Sequence, residues 1–334
     1  MTLTSIEPQS VPSPEEFGDR RGVRVLSRLF SRVGAAVLVA WGAVTAAFLA
    51  QVAAPGDRAT AIINLRTGQV QERTPEEIAP IAAEYGFDRP VVQQYLGYLG
   101  GLLRGDLGTS YQQHRPVWDI IGEQVTATLV LTVTALVAAW LIMLVWVVAT
   151  AGRTRRVRGL GDGVDTVLAS LPQYWIGVVL MLVFALGLGW LPVVGGGPVT
   201  GLILPALTLA LPLAGFLGQA TRTEFERTLE QPFVLSARVR GMGDTAIRVR
   251  HVLRHAALAP LTLTGWALGA TISGAVIAES LFTRQGLGRT LVSAVEARDL
   301  PVVTGIVVLI ALVYVVVNLV VDALYPLIDP RLAS

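Results

Sequence analysis

Thr221 to His255 reads TRTEFERTLEQPFVLSARVRGMGDTAIRVRHVLRH, a polar stretch carrying seven arginines between two long apolar runs. The preceding apolar run continues as helix to about Leu229, with Glu226 and Glu230 one turn apart beside Arg227. Gln231-Pro232 stops it. Pro232 then opens a second helix, Phe233 to Arg240, because a proline's missing N–H costs nothing at the first helical position. Gly241 suits the left-handed residue that closes a helix, and Asp244 is placed to cap the next one, Thr245 to about Ala257. Along that third piece Ala246, Val249, Leu253 and Ala256 share one side, and Arg248, His251 and His255 share another. A helix, a sharp turn and a second helix, with apolar anchors and arginines presented together, suit a segment laid in a groove on another protein. Arginines that only set topology or touch lipid headgroups would explain the charge. They would not explain the capped turn from Gly241 to Asp244.

Outward from this stretch the chain is a membrane protein. Of its 334 residues 53% are hydrophobic and 15% charged, with a mean hydropathy of +0.60, well above a soluble domain. Six apolar runs reach the roughly 20 residues that cross a hydrocarbon core as helix: Val33 to Ala54, Val125 to Ala151, Val167 to Leu191, Leu202 to Ala220, Leu258 to Phe282 and Val302 to Leu324. Pro172, Pro205 and Pro212 interrupt the third and fourth. Every basic side chain is arginine. These cluster before the first run (Arg20, Arg21, Arg24, Arg28, Arg32), after the second (Arg153, Arg155, Arg156, Arg158) and in the opening stretch, which makes those segments cytoplasmic. Both termini are then cytoplasmic, and residues 55–124, 192–201 and 283–301 lie outside, although Arg284, Arg289 and Arg298 run against the rule in the last. A cleaved signal peptide is the rival reading of the first run; its length and the five spans that follow favour an uncleaved helix. The tail, residues 1–23, is rich in Pro, Ser and Glu and reads as disordered.

The outer segment, 55–124, carries its own helical pattern. Thr74-Pro75-Glu76-Glu77 supplies an N-cap, a first-position proline and two acids for a helix to about Tyr85. Beyond Pro90, Val91, Tyr95, Leu96, Leu99, Leu102 and Leu103 recur at helical spacing, as on a helix that lies on the membrane or packs on the bundle.

No catalytic constellation is present. Cysteine is absent, His114 falls outside while His251 and His255 fall inside, and a net charge of +2 does not point to nucleic acid. Gly195-Gly196-Gly197 and Gly286-Leu287-Gly288 lack the strand, helix and lysine of a nucleotide loop and read as turns. Polar residues inside the spans are the candidates for a translocation path, chiefly Gln173, Gln219, Ser273 and Glu279; Asn318 and Asp322, one turn apart, fit interhelical packing better.

Ser-Ala-Arg-Val-Arg-Gly at 236–241, followed by Arg250-His251-Val252-Leu253-Arg254-His255 and Ala259-Pro260-Leu261-Thr262, resembles the signature loop of permease subunits of binding-protein-dependent ABC importers, in particular the dipeptide, oligopeptide and nickel permeases. Tyr85-Gly86-Phe87-Asp88-Arg89-Pro90, Gly105-Asp106-Leu107-Gly108, Arg298-Asp299-Leu300-Pro301 and Asp329-Pro330-Arg331 resemble the first permease of such a pair. The chain departs from the pattern at Pro232, Leu235, Ser236 and His255, at Thr126, and in the unmatched tail.

The resemblance implies an all-α fold of six transmembrane helices of the type I ABC importer permease architecture, with an extracytoplasmic segment between helices 1 and 2 and a cytoplasmic coupling helix between helices 4 and 5, inside a permease core from 125 to 331. It implies docking on an ATPase through the loop 222–257, at Phe233, Ala237, Arg238, Arg240, Gly241, Met242, Asp244 and Arg248. It also implies a bacterial cell-membrane location, no cofactor or catalysis of the chain's own, and as partners a homologous second permease, two ABC ATPase subunits, an extracytoplasmic solute-binding protein and membrane lipid. Peptides are the implied cargo, with nickel or another small conjugate as the alternative. An ATPase-independent channel or carrier is the rival class; the inverted repeat common in carriers is not evident.

Overall fold

The computed structural model describes residues 33–328 except 36, 51, 54 and 55, with side chains as far as 317. The tail 1–23, the arginines ahead of the first span and the side chains of Asn318 and Asp322 lie outside the described residues. Those described form helices and no strand. Five helices are long and apolar enough to span: α1 (Val33–Ala50), α5 (Val117–Thr150), α8 (Thr200–Leu229), α12 (Leu258–Leu281) and α14 (Leu300–Ile328). A further pair, α6 (Arg155–Ser170) and α7 (Gln173–Leu180), the latter extended by a π-helical stretch Met181–Gly187, is bent by 103° at the break and makes six crossings if counted as one span.

Two span boundaries differ from the sequence reading. The helix expected from Val125 begins at Val117, inside the segment assigned outside. Val117, Ile120 and Ile121 fall on one face and are buried against Leu287, Val302, Val303 and Ile306. At about 1.5–3 kcal/mol per fully buried side chain, this outweighs the polar residues on the other face. The third crossing, expected from Val167, is instead helical from Arg155 and breaks at Leu171-Pro172. Leu171 is extended (ψ 136°), as a residue before proline must be. By contrast α8 runs unbroken through Pro205 and Pro212.

The bundle core is built on α5. Leu131, Ala135, Ala139, Met143 and Val147 recur every four residues and are buried against Ala206, Leu209, Ala210, Leu213 and Leu217 of α8. Small residues let the backbones close up. Gly215 and Gly218 do the same where α6 crosses α8: a Cβ at Gly215 would lie 2.7 Å from Asp165 O, and one at Gly218 2.8 Å from Asp165 Oδ1.

Between α1 and α5, the helices α2 (Arg58–Thr67), α3 (Pro75–Tyr85) and α4 (Val91–Leu103) form a cap. α3 starts as its sequence dictates, with the Thr74 N–H donating to the Glu77 carboxylate at 3.0 Å. One face of α4 packs on the bundle: Tyr95 and Tyr98 lie against Phe48 of α1, with ring centroids 5.3 and 6.3 Å away. The loop after α4 is pinned by Asp299, buried at the start of α14, which accepts from Ser110 Oγ and from the N–H groups of Tyr111 and Gln112.

Candidate docking surface and membrane path

The arginine-rich stretch after α8 folds as α9 (Pro232–Val239), a turn, then α10 (Asp244–Ile247), a π-helical turn Arg248–Val252 and α11 (Leu253–Ala256). Gly241 has φ +79°, and the Met242 N–H reaches back across it to Ala237 O at 3.2 Å. The cap of α10 is Gly243, not Asp244, which sits one residue inside and uses its carboxylate on arginines.

Those arginines tie the segment to the bundle. Arg248, 2% exposed, donates to Asp244 Oδ2 at 2.7 Å, Ala151 O at 2.6 Å, Val148 O at 3.3 Å and Gly152 O at 3.3 Å. A cation thus satisfies carbonyls left open where α5 ends. Arg153 meets Asp244 Oδ2 at 2.9 Å from the other side. Partial desolvation raises the Asp244 carboxyl, but Arg248, with Arg153 and Arg238, outweighs it and holds the pKa below the ordinary aspartate value. A depressed carboxylate adds stability above its unfolded pKa, so this clasp is complete at neutral pH and loosens as acid protonates Asp244. At the end of α8, Glu226 accepts from the Gly152 N–H at 3.2 Å and pairs with Arg158 at 2.7 Å. Gly152 (φ +60°) sits against the Leu229 side chain with no room for a Cβ.

The residues expected to dock therefore divide. Ala237 (1% exposed) and Arg248 face inward and hold the segment in place. Met242 is half-buried, while Phe233, Arg238, Arg240, Gly241 and Asp244 are exposed. Leu235 and Val239, at 64% and 80% exposure, join them as bare apolar side chains on α9.

Of the four path candidates, Glu279 and Gln173 are bonded within the bundle. Glu279, fully buried, accepts from Thr128 Oγ1 at 2.6 Å and from the N–H groups of Gly288 and Arg289 at 2.7 and 3.1 Å, so it caps α13 (Leu287–Glu296). Gln173 donates to Gly274 O at 3.2 Å and closes the α7–α12 crossing. Gln219 is exposed and donates to Asp165 O at 3.4 Å. Ser273 is exposed in a cleft of about 410 Å³ with Val39, Trp266, Gly269, Ile310 and Tyr314.

Sequence reasoning missed Thr128, which also accepts from Leu287 N–H at 2.8 Å, and the buried pair Arg222–Asp165. Arg222 belongs by sequence to the basic stretch 221–255. It is buried, donating to Asp165 Oδ2 at 2.8 Å and Thr150 Oγ1 at 2.9 Å, and joins α8 to α6 and α5. The Gly-x-Gly-x-x-x-Asp spacing at 159–165 was the available signal, because only Gly161 leaves room for that guanidinium: a Cβ would stand 2.5 Å from Arg222 Nη1.

The fold defines a multi-pass, all-α membrane protein with an exposed helical appendage. Residues 142–334 match the family described as "Binding-protein-dependent transport system inner membrane component", and residues 25–132 match "Binding-prot-dependent transport system membrane comp, N-term". The chain belongs to this family and is a non-catalytic permease subunit of a binding-protein-dependent ABC importer. It is 34% identical over 309 residues to the "Glutathione transport system permease protein GsiC" of Salmonella paratyphi A (strain ATCC 9150 / SARB42), covering 92% of this chain and 98% of the relative. The protein of the same name from Escherichia coli (strain K12) is 34% identical over 279 residues, 83% of this chain and 89% of the relative. The family implies work alongside an ATPase, a second permease and a solute-binding protein.

A test of the turn follows from its geometry. Gly241→Val places a β-branched residue in the left-handed region at a cost of about 1–2 kcal/mol. No neighbour obstructs the new side chain, so the effect is conformational. The expected result is a lower ratio of solute taken up to ATP hydrolysed in an intact complex; a wild-type ratio would show that the turn does not matter.

Proposed function

We propose that this chain imports short peptides, glutathione-like tripeptides among them, by alternating access, with both termini in the cytoplasm and α9 seated on an ATPase subunit. The observation that carries the reading is Arg248. It fastens the α9–α11 segment to the end of α5, while α9 is continuous with α8 except for the break at Gln231-Pro232. A partner that moves α9 therefore moves both helices of the bundle core as a lever. The cytoplasmic side is argued from the arginines at 153–158 and 222–254. Peptide cargo is argued from relatives named for glutathione, a tripeptide. Nickel or another small conjugate, carried by the same architecture, is the alternative cargo.

The test is uptake into proteoliposomes holding both permeases, the ATPase subunits and the cognate binding protein. Tripeptide should accumulate only with ATP and binding protein together. Uptake that proceeds equally without ATP would instead support a channel or carrier.

A further inference from the structure

A polar pocket of about 230 Å³ opens on the outer end of the bundle, away from Ser273 and the docking segment. Gln112 and Gln113 line it from the loop after α4, Gln124 from α5, Gln285 from the turn before α13, and Arg289 and Ser293 from α13 itself. Three separate parts of the chain are brought together here by the Asp299 pin and the Glu279 cap. Among the described residues the four glutamine side-chain amides have no partner within the protein. Arg289 spends one guanidinium N–H on Thr283 O at 2.9 Å. Asp299 forms the floor, its oxygens already accepting from Ser110, Tyr111 and Gln112.

We propose that this pocket is an outer subsite that receives the carboxylate end of a short peptide, with Arg289 on the carboxylate and the glutamines on the peptide groups. A guanidinium with free N–H groups takes a carboxylate by charge-assisted hydrogen bonds. A primary amide offers both donor and acceptor, as a peptide bond requires. The volume is below the roughly 300–1,000 Å³ of sites that enclose a drug-sized ligand, so the pocket admits the end of a peptide and leaves the rest outside. The inference rests on the peptide-importer reading but concerns one site only.

The absence of cysteine makes a direct test available. In the complete complex Ser293→Cys gives this chain a single thiol at the rim, and a membrane-impermeant maleimide reports its access from outside. Tri-alanine at millimolar concentration should slow labelling several-fold, tri-alanine amide should not, and adding Arg289→Gln should abolish the protection. Gln285→Leu, which keeps the guanidinium but removes an amide, should weaken it. Failure to label, equal protection by both peptides, or protection by peptide-free binding protein alone would overturn the proposal; the last would make the pocket a surface for that protein. Labelling needs no ATP, so its failure is separable from failure of ATP-driven uptake.

Discussion

Arg248→Met should leave a complex that hydrolyses ATP but takes up little solute. Methionine fills the apolar part of the site and supplies no donor, so the carbonyls of Val148, Ala151 and Gly152 lose their protein partner and Asp244 loses its nearer arginine. Leaving a buried carbonyl without a donor costs about 1–3 kcal/mol per group. The loss falls on the joint between α5 and α10 rather than on the exposed face of α9. Binding of the ATPase should therefore survive better than transport does. Arg248→Lys should restore only part of the uptake, because one ammonium cannot reach three carbonyls and a carboxylate with the spread of a guanidinium. Measuring uptake and ATP hydrolysis on the same vesicles checks this; parallel loss of both activities would place Arg248 in docking instead.

The second large effect falls on α13. Gly288→Val should prevent accumulation of folded protein, read as loss of the monodisperse peak in detergent. A Cβ at Gly288 would lie 2.8 Å from Val276 N and 3.0 Å from Glu279 Oε2, and Gly286 is equally crowded by the Glu279 carboxyl. Backbone cannot yield as a flexible side-chain end would. Overpacking alone costs about 1–3 kcal/mol. Dislodging α13 also strips a buried carboxylate of two N–H donors, which adds a penalty of about the same size or more. A stable, well-folded Gly288→Val protein would show that α13 is not fixed in this way.

What the sequence revealed followed from local rules. Thr74-Pro75-Glu76-Glu77 gave the start of α3, Gln231-Pro232 the break after α8, and Gly241 the turn, because each is decided by residues adjacent in the chain. Hydropathy located the crossings but not the ends of α5 and α6, where charged and apolar residues share a helix and only the packed face matters. The roles of Arg248 and Glu279 were invisible for a different reason. Both bind backbone groups, Ala151 O in one case and the Gly288 N–H in the other, and backbone leaves no mark in a side-chain pattern. Arginine in a basic stretch reads as exposed, and here two of seven, Arg222 and Arg248, are buried.

On the proposed reading the ATPase meets the exposed face of α9. A photoreactive side chain at the position of Val239, activated in the assembled complex, measures that contact directly. A covalent adduct with the ATPase subunit is expected; adducts formed only with lipid or with this chain itself would show that α9 does not dock there.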